Sequence, residues 1–157
     1  MAKYLFFAAL LALAACGPSY VFEETHDIPD YGWTYKDTVQ YAFEVKDTSI
    51  LYDLTLRIKH SPEFGNQNIY TRIYTGFPSG KRISKILSLE LADKNGIWAG
   101  DCGSKSCTLD IPIQTKVYFN QVGTYTLSLE QFMRQDSVQG IQSMSLKLSK
   151  TDMGDSQ

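Results

Sequence analysis

The amino-acid sequence predicts an all-β protein, an antiparallel β-sandwich of immunoglobulin-like or jelly-roll-like type that follows a cleaved lipoprotein signal peptide. Apolar and polar residues alternate with a period of two over most of the chain after residue 38, which is the pattern of half-buried strands. Turn signals separate these runs, and no helical stripe of useful length occurs. We therefore expect about 7–8 strands in two packed sheets.

The alternation locates the predicted strands one by one. Apolar residues stand at every second position from Val39 to Val45, and the same pattern begins again at Tyr52. Aromatic and β-branched residues mark the third strand. The turn at Asn95-Gly96 follows the fourth. The predicted strands cover residues 39–45, 52–59, 69–75, 87–91, 107–111, 115–119, 125–130 and 144–149.

Two segments carry more specific expectations. Residues 131–140 are expected to include a helical turn capped by Gly140. Tyr125 follows Asn120 and Gly123, which is typical of a tyrosine corner, where the hydroxyl bonds back to the backbone. A plain strand start with a packed ring is the alternative interpretation of Tyr125.

The first 16 residues have the pattern of a bacterial lipoprotein precursor. Lys3 gives a positive start, and residues 4–15 form an uncharged, apolar run. This run is too short to span a bilayer but suits a signal peptide. It ends in Leu-Ala-Ala directly before Cys16, and such small residues fit the lipoprotein signal peptidase. We expect acylation of Cys16; a secretory peptide cleaved after Ala15, or a buried helix, is the alternative.

The sequence is therefore divided into four parts. Residues 1–15 are the signal peptide, 16–37 the lipidated cysteine with a tether and an irregular segment, 38–150 the sandwich, and 151–157 a frayed polar tail. Two or more acyl chains, such as palmitate, form a stable membrane anchor. Neither an Asp nor an acidic cluster directly follows the cysteine, so the expected location is the periplasmic face of the outer membrane.

Composition and motifs argue against several function classes. The chain has 15 Lys and Arg against 17 Asp and Glu and no basic run, so a nucleic-acid partner is not expected. Two His and three Cys are few for metal or nucleophilic chemistry, and no G-x-S-x-G motif occurs. We expect no catalytic residue, no metal and no cofactor, and leave a small-molecule ligand open.

Cys102 and Cys107 enclose a short turn rich in Gly and Ser. In an oxidising compartment a disulfide between them is sterically reasonable. Free thiols and a metal site are the alternatives, although neither histidine is close to them in sequence.

Aromatic residues provide a candidate interaction surface. We expect Tyr31, Trp33 and Trp98 to contribute to it. With Tyr35, Tyr70 and Tyr74 they could also form a stacking platform for sugars, while packing in the core or at its rim is the alternative.

Several short segments, taken in their order and spacing, form a pattern that covers nearly the whole chain. They are HDIPDYGW (26–33), FEVKDTS (43–49), YDL (52–54), His60, NIY (68–70), FPSG (77–80), LADKNGIWAG (91–100), GTYT (123–126), EQFMR (130–134) and GI (140–141). With the lipoprotein signal, this pattern resembles the gliding motility-associated lipoprotein GldH family of Bacteroidetes. The loop between Cys102 and Cys107 departs from the resemblance, since a Gly-rich loop without cysteines is expected there.

The resemblance implies an outer-membrane lipoprotein that is needed for gliding and linked to the type IX secretion machinery. It implies no catalytic residue. Its implied partners are the membrane, through the anchor on Cys16, and other envelope proteins of that machinery. A non-enzymatic interaction module is the leading hypothesis, with a glycan-binding lipoprotein as the alternative and a hydrolase as the third possibility.

Overall fold

The computed structural model describes residues 20–151, and within this range the chain forms only strands and loops. The prediction of an all-β class is confirmed. Eight strands have seven or more residues and three have two. The strands are β1 (Tyr20–Asp27), β2 (Trp33–Thr34), β3 (Val39–Val45), β4 (Tyr52–His60), β5 (Asn68–Gly76), β6 (Arg82–Glu90), β7 (Asp101–Cys102), β8 (Cys107–Val117), β9 (Gly123–Gln131), β10 (Ser137–Val138) and β11 (Ile141–Lys150).

All strand pairs are antiparallel. One sheet has the order β1-β11-β4-β8-β7 and the other the order β3-β9-β5-β6, while β10 and β2 form a small separate ribbon. The inward faces of the two large sheets share one apolar core. This is the predicted sandwich, because each sheet buries one face against the other and leaves the second face to solvent.

Aromatic rings fill one half of the core and tie the sheets together. Phe119 packs edge-on against Tyr52 of the first sheet at 5.4 Å and against Tyr125 of the second at 4.8 Å. In the other half of the core, the buried hydroxyl of Tyr41 on β3 donates to the carbonyl of Met144 on β11 at 2.9 Å. Burial also raises the pKa of Tyr41 far above its usual range, so the ring stays neutral.

Part of the predicted tether and irregular segment over residues 16–37 is a regular strand. Tyr20–Asp27 form β1, an edge strand paired with β11. Its inward side chains are Phe22, Glu24 and His26, so only one of the three is apolar and the alternation is weak. Phe22 nevertheless packs on Phe43 at 5.8 Å.

Two further segments differ from the prediction. The strands predicted at 107–111 and 115–119 are one strand, β8, which contains Pro112. No helical turn forms at 131–140, because the Gln131 side chain takes over the local hydrogen bonds. Its amide donates to the carbonyl of Gln135 at 2.8 Å and accepts from the Met133 N–H at 2.8 Å, after which β10 begins.

The tyrosine corner is present. The Tyr125 hydroxyl donates to the carbonyl of Gln121 at 3.1 Å and lies 3.3 Å from Oδ1 of Asn120. The bond closes the loop between β8 and β9 back onto β9. Of the predicted tail, Thr151 donates its N–H to Leu51 at 2.9 Å, and the rest lies outside the described residues.

Candidate functional site

The predicted surface residue Trp33 lies in the core. Its side chain is 0% exposed and its indole N–H donates to the carbonyl of Asp37 at 2.6 Å. Gly32 makes the preceding turn with φ +92°, where a side chain would collide with Ser137 and Gln139. This turn points the indole inward, so the prediction of an exposed Trp33 is wrong.

Tyr31 and Trp98 lie in different environments. Tyr31 is 60% exposed, and its hydroxyl donates to Oδ1 of Asp37 at 3.2 Å. Trp98 is half-buried, donates to the carbonyl of Pro62 at 3.0 Å and packs edge-on against His60 at 4.7 Å. Only Tyr31 of the three therefore offers most of its side chain to solvent.

A disulfide bond joins Cys102 and Cys107 and connects β7 to β8, where the two residues are directly paired. Cys107 is buried and Cys102 is exposed. Cys16 and the predicted signal peptide lie outside the described residues.

The two histidines are parts of packed clusters at separate places. His26 packs edge-on against Tyr41 at 5.0 Å and lies 3.0 Å from Glu24. His60 is buried beside Phe64 and Trp98. Its Nδ1 lies 2.8 Å from the carbonyl of Ser61; because a carbonyl can only accept, Nδ1 carries the proton. Among residues 20–151, no group of three or more His, Cys, Asp or Glu is placed to hold a metal ion.

An exposed apolar surface lies on the outer side of the four-stranded sheet, and we name it the aromatic face. Outward side chains alternate along β5, and the paired strand β6 adds Ile86 opposite Arg72. The segment after β9 crosses the end of β5, where the Phe132 N–H donates to the Tyr70 carbonyl at 2.8 Å. The aromatic face consists of Tyr70, Arg72, Tyr74, Ile86, Phe132 and Met133.

Arginine side chains lie over two rings of this region. The guanidinium carbon of Arg72 lies 4.3 Å from the centre of the Phe132 ring, and that of Arg82 lies 3.9 Å from the centre of the Tyr74 ring. These are cation–π distances. Arg72 is also paired across the strands with Glu130. The surface therefore combines apolar area with arginine side chains, of which Arg72 lies beside an acidic residue.

A shallow cleft of about 600 Å³ opens in the aromatic face. Two contacts hold Met133 in place at this cleft. The Tyr70 N–H lies 3.2 Å from Sδ of Met133, and the Tyr35 hydroxyl donates to the Met133 carbonyl. An apolar cleft with cationic side chains suits a protein segment that carries apolar and acidic residues. The cleft is lined by Tyr70, Ile86, Phe132, Met133, Arg134 and Gln135.

The six aromatic residues considered as a sugar platform do not form a row. Tyr70 and Tyr74 share the outer side of β5, but Arg82 covers the Tyr74 ring. Trp33 is in the core and Trp98 packs beside His60. A row of exposed, evenly spaced rings would be needed to follow a sugar chain, and the structure does not provide one.

Sequence reasoning missed Ile86, Phe132 and Met133. A signal for Ile86 was available, since the inward Leu87 and Leu89 place Ile86 on the outer side by the period of two. For Phe132 and Met133 there was none, because they follow the end of β9 and a predicted helical turn would have placed them differently.

One buried charge was also missed. Lys147 lies on the outer side of the five-stranded sheet, yet it is buried beneath the Tyr20 ring, 4.9 Å from its centre. Its ammonium lies 3.7 Å from Glu23 and 3.9 Å from Asp110. Asp110 also accepts two hydrogen bonds from Arg57, at 2.6 and 2.7 Å. This outer side is thus a network of paired charges, whereas the aromatic face has an apolar cleft.

The fold and these surfaces define a β-sandwich protein with one polar outer side and, on the other outer side, the exposed apolar cleft of the aromatic face. Residues 20–148 match the GldH lipoprotein family. The chain therefore belongs to the GldH lipoprotein family. Within residues 20–151, no helix is long and apolar enough to cross a membrane.

Two comparisons with individual proteins accompany the family match. The chain is 23% identical over 156 residues to a protein of Christiangramia forsetii named gliding motility lipoprotein GldH homolog, and the alignment covers 95% of each chain. A solved structure, dimeric latent PorU from Porphyromonas gingivalis, matches 88% of this chain and 14% of its own, with a TM-score of 0.31 and 11% identity. The chain thus spans about 14% of the length of that protein.

Proposed function

We propose that this protein is a lipid-anchored accessory of the gliding motility and type IX secretion machinery, and that it acts without catalysis by binding another envelope protein through its aromatic face. Family membership supports the lipoprotein assignment, and the name of the Christiangramia forsetii relative supports gliding motility. The observation that carries the binding role is the exposed cleft between Tyr70, Ile86 and Phe132.

Acylation of Cys16 and attachment to the periplasmic face of the outer membrane are part of this proposal. The Cys16→Ser variant lacks the acceptor thiol, so it should remain as an unprocessed precursor and take up no clickable fatty acid in cells. Continued labelling of the variant would contradict the anchor.

The binding role can be tested with two isoleucines of one strand. Ile83 and Ile86 are each 48% exposed, but Ile86 faces the cleft whereas Ile83 lies on the opposite side of β6. Ile86→Arg should abolish gliding, or type IX secretion in a host that does not glide, while the protein accumulates normally. Ile83→Arg is the matched control and should retain function. Equal effects of both variants would count against the aromatic face.

Substitution of the two histidines tests whether the protein acts without catalysis. His26→Gln and His60→Phe keep most of the side-chain volume, so both variants should accumulate and retain the envelope phenotype. A variant that accumulates normally and yet behaves as a deletion would reopen a catalytic role.

A further inference from the structure

One end of the sandwich, which we name the near end, contains the first residue of β1, three loops and the last residue of β11. Tyr20 pairs with Ser149, and the neighbouring Lys150 pairs with Tyr52, which is also opposite Val117. In the other sheet, the last residue of β3 pairs with the first residue of β9, and the last residue of β5 pairs with the first residue of β6. These residues lie at the same end of the sandwich. The near end comprises Tyr20 and residues 46–51, 77–82, 116–122 and 150.

The loop from β3 to β4 connects the two sheets at this end, and a hydrogen bond fixes this loop on β4. The Tyr52 hydroxyl donates to the carbonyl of Asp47 at 2.9 Å, and a shared cavity brings together Lys46, Tyr52 and Lys150. The loops of both sheets therefore form one continuous surface.

The near end carries an excess of cations. Five exposed cations lie there with three carboxylates: Asp47, Glu44 at 3.7 Å from Lys46, and Asp53, which accepts the Lys116 N–H. The opposite end, formed by residues 28–38, 61–67, 91–106 and 132–140, carries six acidic and four basic residues. The charge of the domain is thus separated along its length. The five cations are Lys46, Lys81, Arg82, Lys116 and Lys150.

Apolar side chains project from the same surface. Tyr118 and Val122 are 63% and 61% exposed, and they flank Phe119, which is fixed between the rings of Tyr52 and Tyr125. The loop is therefore anchored in the core while its two apolar tips face solvent. Aromatic and aliphatic tips among cations are typical of a surface that meets lipid headgroups.

The expected anchor leads directly to this end. Cys16 precedes Tyr20 by four residues, and a fully extended stretch of four residues spans at most about 14 Å. A surface held that close to a bilayer is within about one to two Debye lengths of its charged headgroups at physiological ionic strength.

We propose that the near end docks on the phospholipid surface that holds the acyl chains, with Tyr118 and Val122 in the headgroup layer and the five cations on anionic lipids. The inference rests on the proposed acylation of Cys16. In this orientation the strands run away from the membrane surface. The aromatic face is then roughly perpendicular to the membrane plane, and the acidic end lies farthest from the bilayer.

Two exposed apolar positions at opposite ends provide the test. Val122 is 61% exposed at the near end and Ile97 is 66% exposed at the other. The acylated full-length Val122→Cys and Ile97→Cys variants are spin-labelled and reconstituted into vesicles of phosphatidylethanolamine and phosphatidylglycerol. Collision with a water-soluble nickel chelate is then measured by electron paramagnetic resonance.

Relative to detergent micelles, collision at position 122 should fall by about threefold or more while position 97 is unchanged. Protection at 122 should be lost when Lys116→Glu and Lys150→Glu are added or when the vesicles contain only phosphatidylcholine. If the chain floats with the vesicles and both positions stay equally accessible, docking is wrong and the anchor stands. If the chain does not float with the vesicles, the anchor fails and docking fails with it.

Discussion

The Tyr125 hydroxyl donates the hydrogen bond that holds the loop between β8 and β9 onto β9. Tyr125→Phe removes this bond and leaves the packed ring, so the free energy of unfolding should fall by about 0.5–1.5 kcal/mol. Urea denaturation measures the loss. Tyr118→Phe, in an exposed ring of the same loop, is the control and should change little; an equal loss in the two variants would argue against the tyrosine corner.

The pair of Arg57 and Asp110 gives a pH dependence. Hydrogen bonds from Arg57 hold the pKa of Asp110 below its usual range. Because the folded pKa lies below the unfolded value near ~3.9, the stabilisation is present above that value and is lost as the pH falls through the folded pKa. Both side chains are about two-fifths exposed, so we expect about 0.5–1 kcal/mol at neutral pH.

Asp110→Asn should show this loss in urea denaturation at pH 7, and the gap to the unmodified protein should close below about pH 4. Asp101→Asn, at an exposed carboxylate on β7, is the comparison variant. A gap of constant size from pH 7 to pH 3 would contradict the assignment to this ion pair.

Among single residues, exposure was the property hardest to predict. Trp33 is buried because a two-residue strand pairs it with Val138, more than a hundred positions away in the chain, and no local pattern encodes such a contact. The disulfide partners were easier to propose, since Cys102 and Cys107 lie in one hairpin.

At the scale of the element, β6 is the edge strand of its sheet within residues 20–151: it pairs with β5 on one side and is exposed along most of its length. Lys85 lies opposite the buried Ile73 and so on the core side of this edge. A charge in that position hinders the addition of a further strand. Lys85→Ile should therefore make the protein self-associate with rising concentration, as measured by sedimentation velocity.

Lys85→Arg keeps the charge and serves as the control, which should remain unchanged in sedimentation. If Lys85→Ile sediments like the unmodified protein over the same concentrations, Lys85 does not protect the edge.

The predicted strands that matched best have large apolar residues on one side only. β3 is the clearest case, because its buried and exposed residues alternate without exception. β1 escaped prediction because its inward side chains at the rim of the core are mostly polar. The sequence pattern predicted two strands where the structure has β8 alone, because Pro112 interrupts the pattern. Proline is tolerated there because, among the described residues, β7 covers only the first two residues of that side of β8.

At the scale of the whole molecule, Trp33 closes the end of the core opposite the near end. Trp33→Ala should cost about 3–5 kcal/mol, since it empties the space of a buried aromatic ring. That is a large share of the ~5–15 kcal/mol that stabilises a domain. The protein should be depleted in cells and lose its urea resistance.

Tyr31→Ala, two residues earlier and 60% exposed, is the matched control and should accumulate normally. A Trp33→Ala protein as stable as this control would restore the sequence-based interpretation of Trp33 as a surface residue.

The alternating pattern predicted that the protein is a sandwich, but it did not predict the order of the strands in each sheet. The order β1-β11-β4-β8-β7 joins strands from both ends and the middle of the chain, and pairing between distant strands leaves no trace in local alternation. The aromatic face depends on the same assembly, because β5, β6 and the segment after β9 come together only in the folded sheet.

The pairing of β1 with β11 also sets an order of events in time. Among the described strands, β1 pairs with β11 alone, and the side chains of Thr25 and Ser145 meet across 120 positions at 2.7 Å. Closing a loop of that length costs conformational entropy. Residues 20–27 therefore have no sheet partner among the described strands until the last of them, β11, has been synthesised.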